Sequence, residues 1–176
     1  AQLQNDEELV TLAVQGNGLA LEHASEALKA KEAIVKIAVQ GNGLALEHAS
    51  EALKDNEEIV LATVSIFPHA IICASERLQN DYNFIYSVLE KYPSVLKFLG
   101  EKFKFNKDFI LSLLEARKYY STLMYLSADL FKDKDFVIKA IKNNSVLGPF
   151  ENIMEYLDDE LLNTHDVILE AVSRDF

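Results

Sequence analysis

Pairs of adjacent apolar residues recur along the chain at a fixed distance behind a polar position. That position is occupied by Asp6, Lys31, Asn56, Asp81, Asn106, Asp133 and Thr164. Three and four residues after it lie Leu9-Val10, Ile34-Val35, Ile59-Val60, Phe84-Ile85, Phe109-Ile110, Phe136-Val137 and Val167-Ile168. Six of the seven polar residues can accept a backbone N–H at a helix N-terminus. Because apolar residues return at helical spacing, the pattern predicts seven helices, called B, each with a buried stripe.

A second helix, called A, is predicted between successive B helices. At an offset of 25 residues, Gly18 and Gly43 align with Pro68 and Pro93. Proline is tolerated at the first helical position, where its missing N–H would have no partner. The apolar residues that follow are spaced by three and four, as in Leu21, Ala24 and Leu28, or Ile71, Ala74 and Leu78. This spacing predicts an amphipathic helix A, which Asn17 and Asn42 are placed to cap.

Helices A and B together form a repeat. The segment AVQGNGLALEHASEALK at residues 13–29 returns unchanged at residues 38–54, an offset of 38 − 13 = 25. Helices of about 10 residues are marginal alone in water, so they must be stabilised by stacking on their neighbours. The predicted fold is all-α, a right-handed α-α solenoid of about six two-helix repeats of ~25 residues plus one leading helix. A compact helical bundle is the alternative.

One helical-repeat domain is predicted over residues 1–176, with well-matched repeats over 6–115 and divergent repeats over 116–176. Close approach of neighbouring backbones is expected at the small residues Ala24-Ser25, Ala49-Ser50, Ala74-Ser75 and Gly100. Terminal repeats of a solenoid usually carry a polar outer face. The first and last B helices instead keep apolar residues like those of interior repeats. We therefore expect either a longer native chain, of which this is a fragment, or end-to-end self-association.

Composition narrows the classes of partner. The formal net charge of −11 disfavours nucleic acid and anionic membranes, which carry the same sign. Cys73 is the only cysteine, which excludes an internal disulfide and fits a reducing compartment such as the cytoplasm. No apolar run reaches the length of about 18 residues that a membrane span needs. The expected partner is another protein.

One column of the repeat holds residues that could carry chemistry or recognition. This candidate stripe comprises His23, His48, Cys73, Phe98, Tyr125 and Tyr156. Metal ligands must lie within about 2 Å of one ion, whereas equivalent positions on packed helices are about 8–10 Å apart, so no metal site is expected. The column flanks the apolar face of helix A and should be partly exposed. Recognition is the functional interpretation, since aromatic anchors dominate interfaces; the alternative is padding at the core edge.

The remaining motifs predict no catalysis and no cofactor. The segments Gly16-Asn17-Gly18 and Gly41-Asn42-Gly43 lack the preceding strand and the spacing of a phosphate-binding loop. His165-Asp166 has no accompanying nucleophile motif, so a hydrolase triad has no support. A column of glutamates is expected to form local ion pairs on a solvated face with residues three positions later: Glu26, Glu51, Glu76 and Glu101. The sequence therefore indicates a protein that is not an enzyme.

The segment NGLALEHASEALKDNEEIVLATV at residues 42–64 resembles the repeat of the domain-of-unknown-function family numbered 4116. The resemblance is close over residues 13–64 and partial to about residue 115; beyond that only the caps and apolar columns persist. It implies a repeat module, within a secreted bacterial effector that acts in a host cytosol. It implies no catalytic residue.

Three functions are compatible with these features. The first is a non-enzymatic scaffold for protein–protein interaction. The second is a structural or targeting arm of a larger enzyme whose catalytic domain lies outside this sequence. The third is a spacer that sets the distance between other domains. An exposed aromatic stripe would favour the scaffold over the spacer.

Overall fold

The computed structural model describes residues 3–115, 126, 128–143 and 157–172. Within these ranges the chain forms helices joined by short turns and contains no β-strand, which confirms the all-α prediction. The chain divides into two compact units, Ala1–Phe98 and Leu99–Phe176. The prediction of one uninterrupted repeat domain stays a prediction.

After a leading 3₁₀ helix, the first unit contains three repeats of the same three elements, a long α-helix, a 3₁₀ helix and a short α-helix, followed by the first two elements of a fourth repeat. Its α-helices are α1 Glu7–Gly16, α2 Glu26–Lys29, α3 Glu32–Gly41, α4 Glu51–Lys54, α5 Glu57–Ile66, α6 Glu76–Asn80 and α7 Tyr82–Lys91. Its 3₁₀ helices are Leu3–Asn5, Gly18–His23, Gly43–His48, Pro68–Cys73 and Pro93–Phe98. The long helices α1, α3, α5 and α7 are the predicted B helices.

The second unit uses the same elements. Its described α-helices are α8 Glu101–Lys104, α9 Lys107–Glu115, α10 Lys134–Asn143, α11 Asp159–Leu162 and α12 His165–Val172, and its described 3₁₀ helix is Ala128–Lys132. The long helices α9, α10 and α12 are the last three predicted B helices. Within this unit α10 packs against both α9 and α12.

The prediction of a continuous helix A is wrong. Ala24 and Ser25 have extended backbone, with φ/ψ of −69°/157° and −66°/155°, and they separate the 3₁₀ helix Gly18–His23 from α2. The same break recurs at Ala49-Ser50 and Ala74-Ser75. Apolar residues three and four apart fit two short helices as well as one long helix, so the spacing alone did not reveal the break.

A backbone hydrogen bond to the preceding repeat accounts for the break. Ser25 N–H donates to the carbonyl of Gln4 at 2.8 Å, Ser50 to Lys29 at 3.0 Å and Ser75 to Lys54 at 2.8 Å. The separation is constant, because 25 − 4, 50 − 29 and 75 − 54 all equal 21. An N–H inside a helix donates to its own helix, so these serines must leave the helix to reach the neighbouring repeat.

The capping column behaves as predicted at five of its positions. The side chains of Asp6, Asn56, Asp81, Asn106 and Asp133 each accept the backbone N–H three residues later, at 2.8–3.2 Å. Thr164 departs from the prediction, because its hydroxyl donates to the Glu160 carbonyl. Lys31 makes no side-chain cap. The apolar pairs behind the caps are buried, except for Leu9 and Ile168, which are 42% and 40% exposed.

Two glycines allow the repeats to pack closely. A Cβ atom at Gly18 would lie 2.2 Å from the Ala38 carbonyl oxygen, and one at Gly43 would lie 2.6 Å from the Phe67 Cβ atom. Both glycines begin 3₁₀ helices, and at each of them atoms of the following repeat occupy the space that a Cβ would need, backbone atoms at Gly18 and side-chain atoms at Gly43. The close approach predicted at Gly100 is wrong, since a Cβ there would meet no atom within 4 Å.

Replacing Gly18 by Ala should destabilise the protein, because the new methyl group would overlap a backbone carbonyl that cannot rotate away. The expected loss in free energy of unfolding is about 1–3 kcal/mol, the usual cost of overpacking. Gly16→Ala is the matched control, since a Cβ there meets nothing within 4 Å and Gly16 ends α1. That control should stabilise by about 0.5–1 kcal/mol. Denaturant unfolding in which both variants behave alike would contradict this account of Gly18.

The serine hydroxyls make a second link between repeats, but at only two of three positions. Ser25 Oγ donates to Asn5 Oδ1 at 2.9 Å, and Ser75 Oγ donates to the Asp55 carboxylate. Ser50 Oγ is buried and has no hydrogen-bond partner. Its counterpart of Asn5 and Asp55 is Ala30, which has no acceptor. The Ser75 hydroxyl, together with Arg77, also lowers the pKa of Asp55.

Ala30→Asp should therefore stabilise the protein. Ala30 has φ/ψ of −92°/−3°, close to the −93°/0° of Asp55, so the new carboxylate would reach the Ser50 hydroxyl as Asp55 reaches Ser75. The expected gain in free energy of unfolding is about 0.5–1.5 kcal/mol. In a Ser50→Ala background the same substitution should give no gain, which a double-mutant cycle measures. Equal gains in both backgrounds would exclude the proposed hydrogen bond.

Candidate functional site

Four 3₁₀ helices of the first unit stack side by side. This 3₁₀ stack comprises Gly18–His23, Gly43–His48, Pro68–Cys73 and Pro93–Phe98, and each helix contacts the next. Asn17 Oδ1 accepts Leu19 N–H at 3.1 Å and Asn42 Oδ1 accepts Leu44 N–H at 3.0 Å, which confirms their predicted capping role. In the later two helices proline takes the first position. The result is four short helices in matching positions.

The described part of the candidate stripe forms the last residue of each helix in the 3₁₀ stack. His23 is exposed, His48 and Phe98 are half-buried, and Cys73 is buried. Tyr125 and Tyr156 lie outside the described residues. Partial exposure was expected along the whole column, so burial of Cys73 departs from that expectation. Whether the stripe binds a partner stays a prediction.

Two further columns lie beside the stripe on the same 3₁₀ helices. One position before the stripe, Glu22, Glu47, Ile72 and Lys97 are all exposed, and Ile72 exposes 52% of its surface. Four positions before the stripe, the half-buried residues are Leu19, Leu44, His69 and Ser94. The surface therefore changes from acidic residues in the first two helices to an isoleucine and a lysine in the last two.

An aromatic group lies at the later end of the 3₁₀ stack. The His69 ring contacts Phe67 and Phe98 edge to face, with both pairs of ring centroids 6.0 Å apart. All three side chains are half-buried, so part of each ring faces solvent. The Lys97 ammonium lies 5.8 Å from the Phe98 ring centroid. Sequence analysis found Phe98 but missed Phe67 and His69. Phe67 stands in the column of Asn17 and Asn42, which was interpreted as a capping position, and His69 is the one aromatic residue among the four in its column.

Burial of Cys73 lowers the reactivity of its thiol. Loss of solvent raises the pKa of the thiol above its ordinary value, and the negative charge of Glu47 acts in the same direction. A raised pKa reduces the thiolate fraction that reacts with electrophiles or metals. The side chain therefore acts as an apolar spacer between its neighbours in the column.

Across the described ranges, no three His, Cys, Asp or Glu side chains lie where they could share a metal ion. His23 and His48 sit one repeat apart on separate helices. Asp166, the neighbour of His165, forms an ion pair with Lys134 at 2.5 Å. The glutamate column forms its expected local pairs at Glu26–Lys29 and Glu51–Lys54.

Comparison with known proteins identifies one family. A model described as domain of unknown function (DUF4116) matches residues 31–79, 56–104 and 106–147, more than half of the chain. Each match begins at a capping position, Lys31, Asn56 or Asn106, and the first two are offset by 56 − 31 = 25 residues. The matches therefore follow the repeat. No curated protein sequence and no solved structure matches the chain significantly.

The thiol of Cys73 should react slowly in the folded protein. Burial and the raised pKa both act against thiolate attack, so we expect alkylation or disulfide exchange at pH 8 to be at least about tenfold slower than in denaturant. The rate in guanidinium chloride is the control and should equal that of an unstructured cysteine. A folded-state rate equal to the denatured-state rate would show that the thiol is exposed.

Proposed function

The chain belongs to the family described as domain of unknown function (DUF4116), and we propose that it is a non-enzymatic module for protein–protein interaction. The observation that carries this proposal is the 3₁₀ stack. Its four helices present matching positions that differ in charge and apolar character from one repeat to the next. Such a surface can read successive positions of a partner, as concave surfaces of repeat proteins do.

The proposed architecture is a right-handed α-α solenoid. Two observations support stacking. Each serine hydrogen bond joins residues that are 21 positions apart, and each helix in the 3₁₀ stack contacts the next. In a compact bundle, contacts would join elements far apart in the sequence more often. The repeat has three elements, a long α-helix, a 3₁₀ helix and a short α-helix, rather than the two helices predicted from the sequence.

The aromatic group is the proposed centre of the binding surface. Interface energy concentrates in a few partly preformed apolar anchors, and aromatic residues are the commonest of these. Phe67, His69 and Phe98 hold one another at fixed ring distances, so little side-chain freedom is lost when a partner covers them. Ile72 supplies an exposed aliphatic contact in the adjacent column.

Charge, helix length and the family resemblance support a proposal for the compartment and the cellular role. The net charge of −11 favours protein partners over nucleic acid. None of the described helices has the length and apolar character needed to cross a bilayer. A role in a secreted bacterial effector, in the cytoplasm of a host, is proposed from the resemblance alone. A targeting arm of a larger enzyme would need the same binding surface.

Self-association is proposed as a second mode of binding. The first long helix exposes Leu9 and Leu12, which are 42% and 60% exposed. The last described long helix exposes Ile168, Leu169 and Val172, which are 40%, 54% and 50% exposed. Two apolar helix faces on one chain favour end-to-end contact between copies.

A substitution that introduces one negative charge into the 3₁₀ stack tests the proposed binding surface. Ile72→Glu places a carboxylate in the 3₁₀ stack and should weaken capture of a partner by at least about tenfold, because the charge would be desolvated on binding. Ile66→Glu is the matched control: Ile66 is 56% exposed, but it lies on α5 outside the 3₁₀ stack. Both variants should keep the parent melting temperature.

Quantitative affinity capture from lysate, followed by direct binding measurement with the captured protein, separates the outcomes. Equal binding by both variants would exclude the 3₁₀ stack as the binding surface. Recovery of no specific partner would contradict the proposed function itself.

A further inference from the structure

Each long helix has one face for the preceding repeat and another for the following repeat. Numbered from the first residue of each long helix, position 3 is buried in every described long helix except α1, where it is Leu9. Position 4 is buried in every described one except α12, where it is Ile168. Position 3 therefore faces backward and position 4 forward.

The grooves between long helices confirm this division. The groove between α3 and α5 is lined by positions 5, 8 and 9 of α3 and by positions 2, 3, 6, 7 and 10 of α5. The groove between α10 and α12 uses positions 5 and 9 of α10 with positions 2, 5 and 6 of α12. Together with the burial pattern, these grooves assign positions 4 and 8 to the forward face and positions 3 and 6 to the backward face, while position 5 lines grooves on both sides.

Opposite charges meet at the N-terminal edge of three junctions. Position 1 of one long helix pairs with the cap or position 2 of the next in Glu7–Lys31, Lys107–Asp133 and Lys134–Asp166. The sign is reversed between the first pair and the second. Hydrogen bonds donated by Lys107 and Lys134 hold the pKa values of Asp133 and Asp166, respectively, below the ordinary range. These pairs mark the register in which repeats meet.

The two uncovered faces are complementary in this register. The forward face of α12 exposes Ile168 and Val172, and the backward face of α1 exposes Leu9 and Leu12. Position 1 of α12 is His165, and the cap of α1 is Asp6. A histidine that donates to an aspartate would reproduce the Lys107–Asp133 arrangement.

We infer that α12 of one copy stacks on α1 of a second copy in the register of successive repeats, with His165 against Asp6. This inference rests on the self-association proposed above and gives it a geometry. The contact is heterologous, since it joins two different surfaces, and it leaves one free face at each end of an assembly.

Mixing two blocked variants tests the head-to-tail geometry. Leu12→Glu blocks only the α1 face, and Val172→Glu blocks only the α12 face. Both residues are exposed in the single chain, so neither charge is buried on folding. Each variant alone should sediment as a monomer at concentrations where the parent chain associates, whereas an equimolar mixture should form a one-to-one dimer.

The outcomes of sedimentation velocity are distinct. Ile66→Glu is the control and should associate like the parent chain. A parent chain that stays monomeric would overturn the inference. So would a Val172→Glu variant that associates alone, because that result would indicate a symmetric contact between α1 faces.

Charge substitutions test the register. His165→Lys copies the Lys107–Asp133 pair and should tighten self-association by about two- to fivefold, the range expected for an exposed pair. His165→Glu should weaken it by a similar factor, and adding Asp6→Lys should restore it by copying Glu7–Lys31. Because Asp6 also caps α1, the single Asp6→Lys variant and the melting temperatures of all variants serve as controls for loss of this cap. No response to any of these changes would exclude this register.

These measurements use the chain alone, so they separate the two proposals. Failure of self-association leaves binding by the 3₁₀ stack intact. Conversely, Ile72→Glu should weaken partner capture while leaving the sedimentation profile unchanged.

Discussion

The first unit depends on one backbone hydrogen bond per repeat, donated by Ser25, Ser50 or Ser75 to a carbonyl of the repeat before. The donor must leave its own helix to make this bond, so the chain breaks into a 3₁₀ helix and a short α-helix. The break in turn places the 3₁₀ helices in contact with one another. Glycine at the start of the first two lets atoms of the following repeat approach to a distance that a Cβ would not allow. The surface proposed to bind a partner is thus a consequence of how the repeats are joined.

Most of the regular structure could be predicted from the sequence. The caps and apolar pairs gave the long helices, and the unchanged segment gave the 25-residue period, because both signals lie within a few neighbouring residues. The break after Ala24 could not be found in this way. Its cause is a hydrogen bond between residues 21 positions apart, and Ser25 reads equally well as a small residue inside a helix. A serine three residues before a buried leucine, followed by glutamate, was the available signal, since serine and glutamate are typical of helix starts.

The candidate stripe was predicted as a column of equivalent residues, but equivalence of position does not guarantee an equivalent environment. His23 and His48 lie in identical segments, yet only His23 is fully exposed, since each segment has different neighbours. Cys73 is buried in the same column. Phe67 and His69 were missed because the aromatic group is built across three columns, whereas the sequence was compared within single columns. Specific recognition in a repeat protein depends on such departures from the repeat.

Exact duplication also creates an ambiguity that the folded chain must resolve. Residues 13–29 and 38–54 have the same sequence, so local conformational preferences alone cannot determine which neighbours each copy packs against. The difference lies in what meets each copy: Ala38 lies over Gly18 and Phe67 over Gly43, while Lys31 pairs with Glu7 at the earlier junction. These contacts distinguish the two copies from each other. A chain that lost them would fold with its first two repeats interchangeable, and exchange of one copy between molecules would carry little cost.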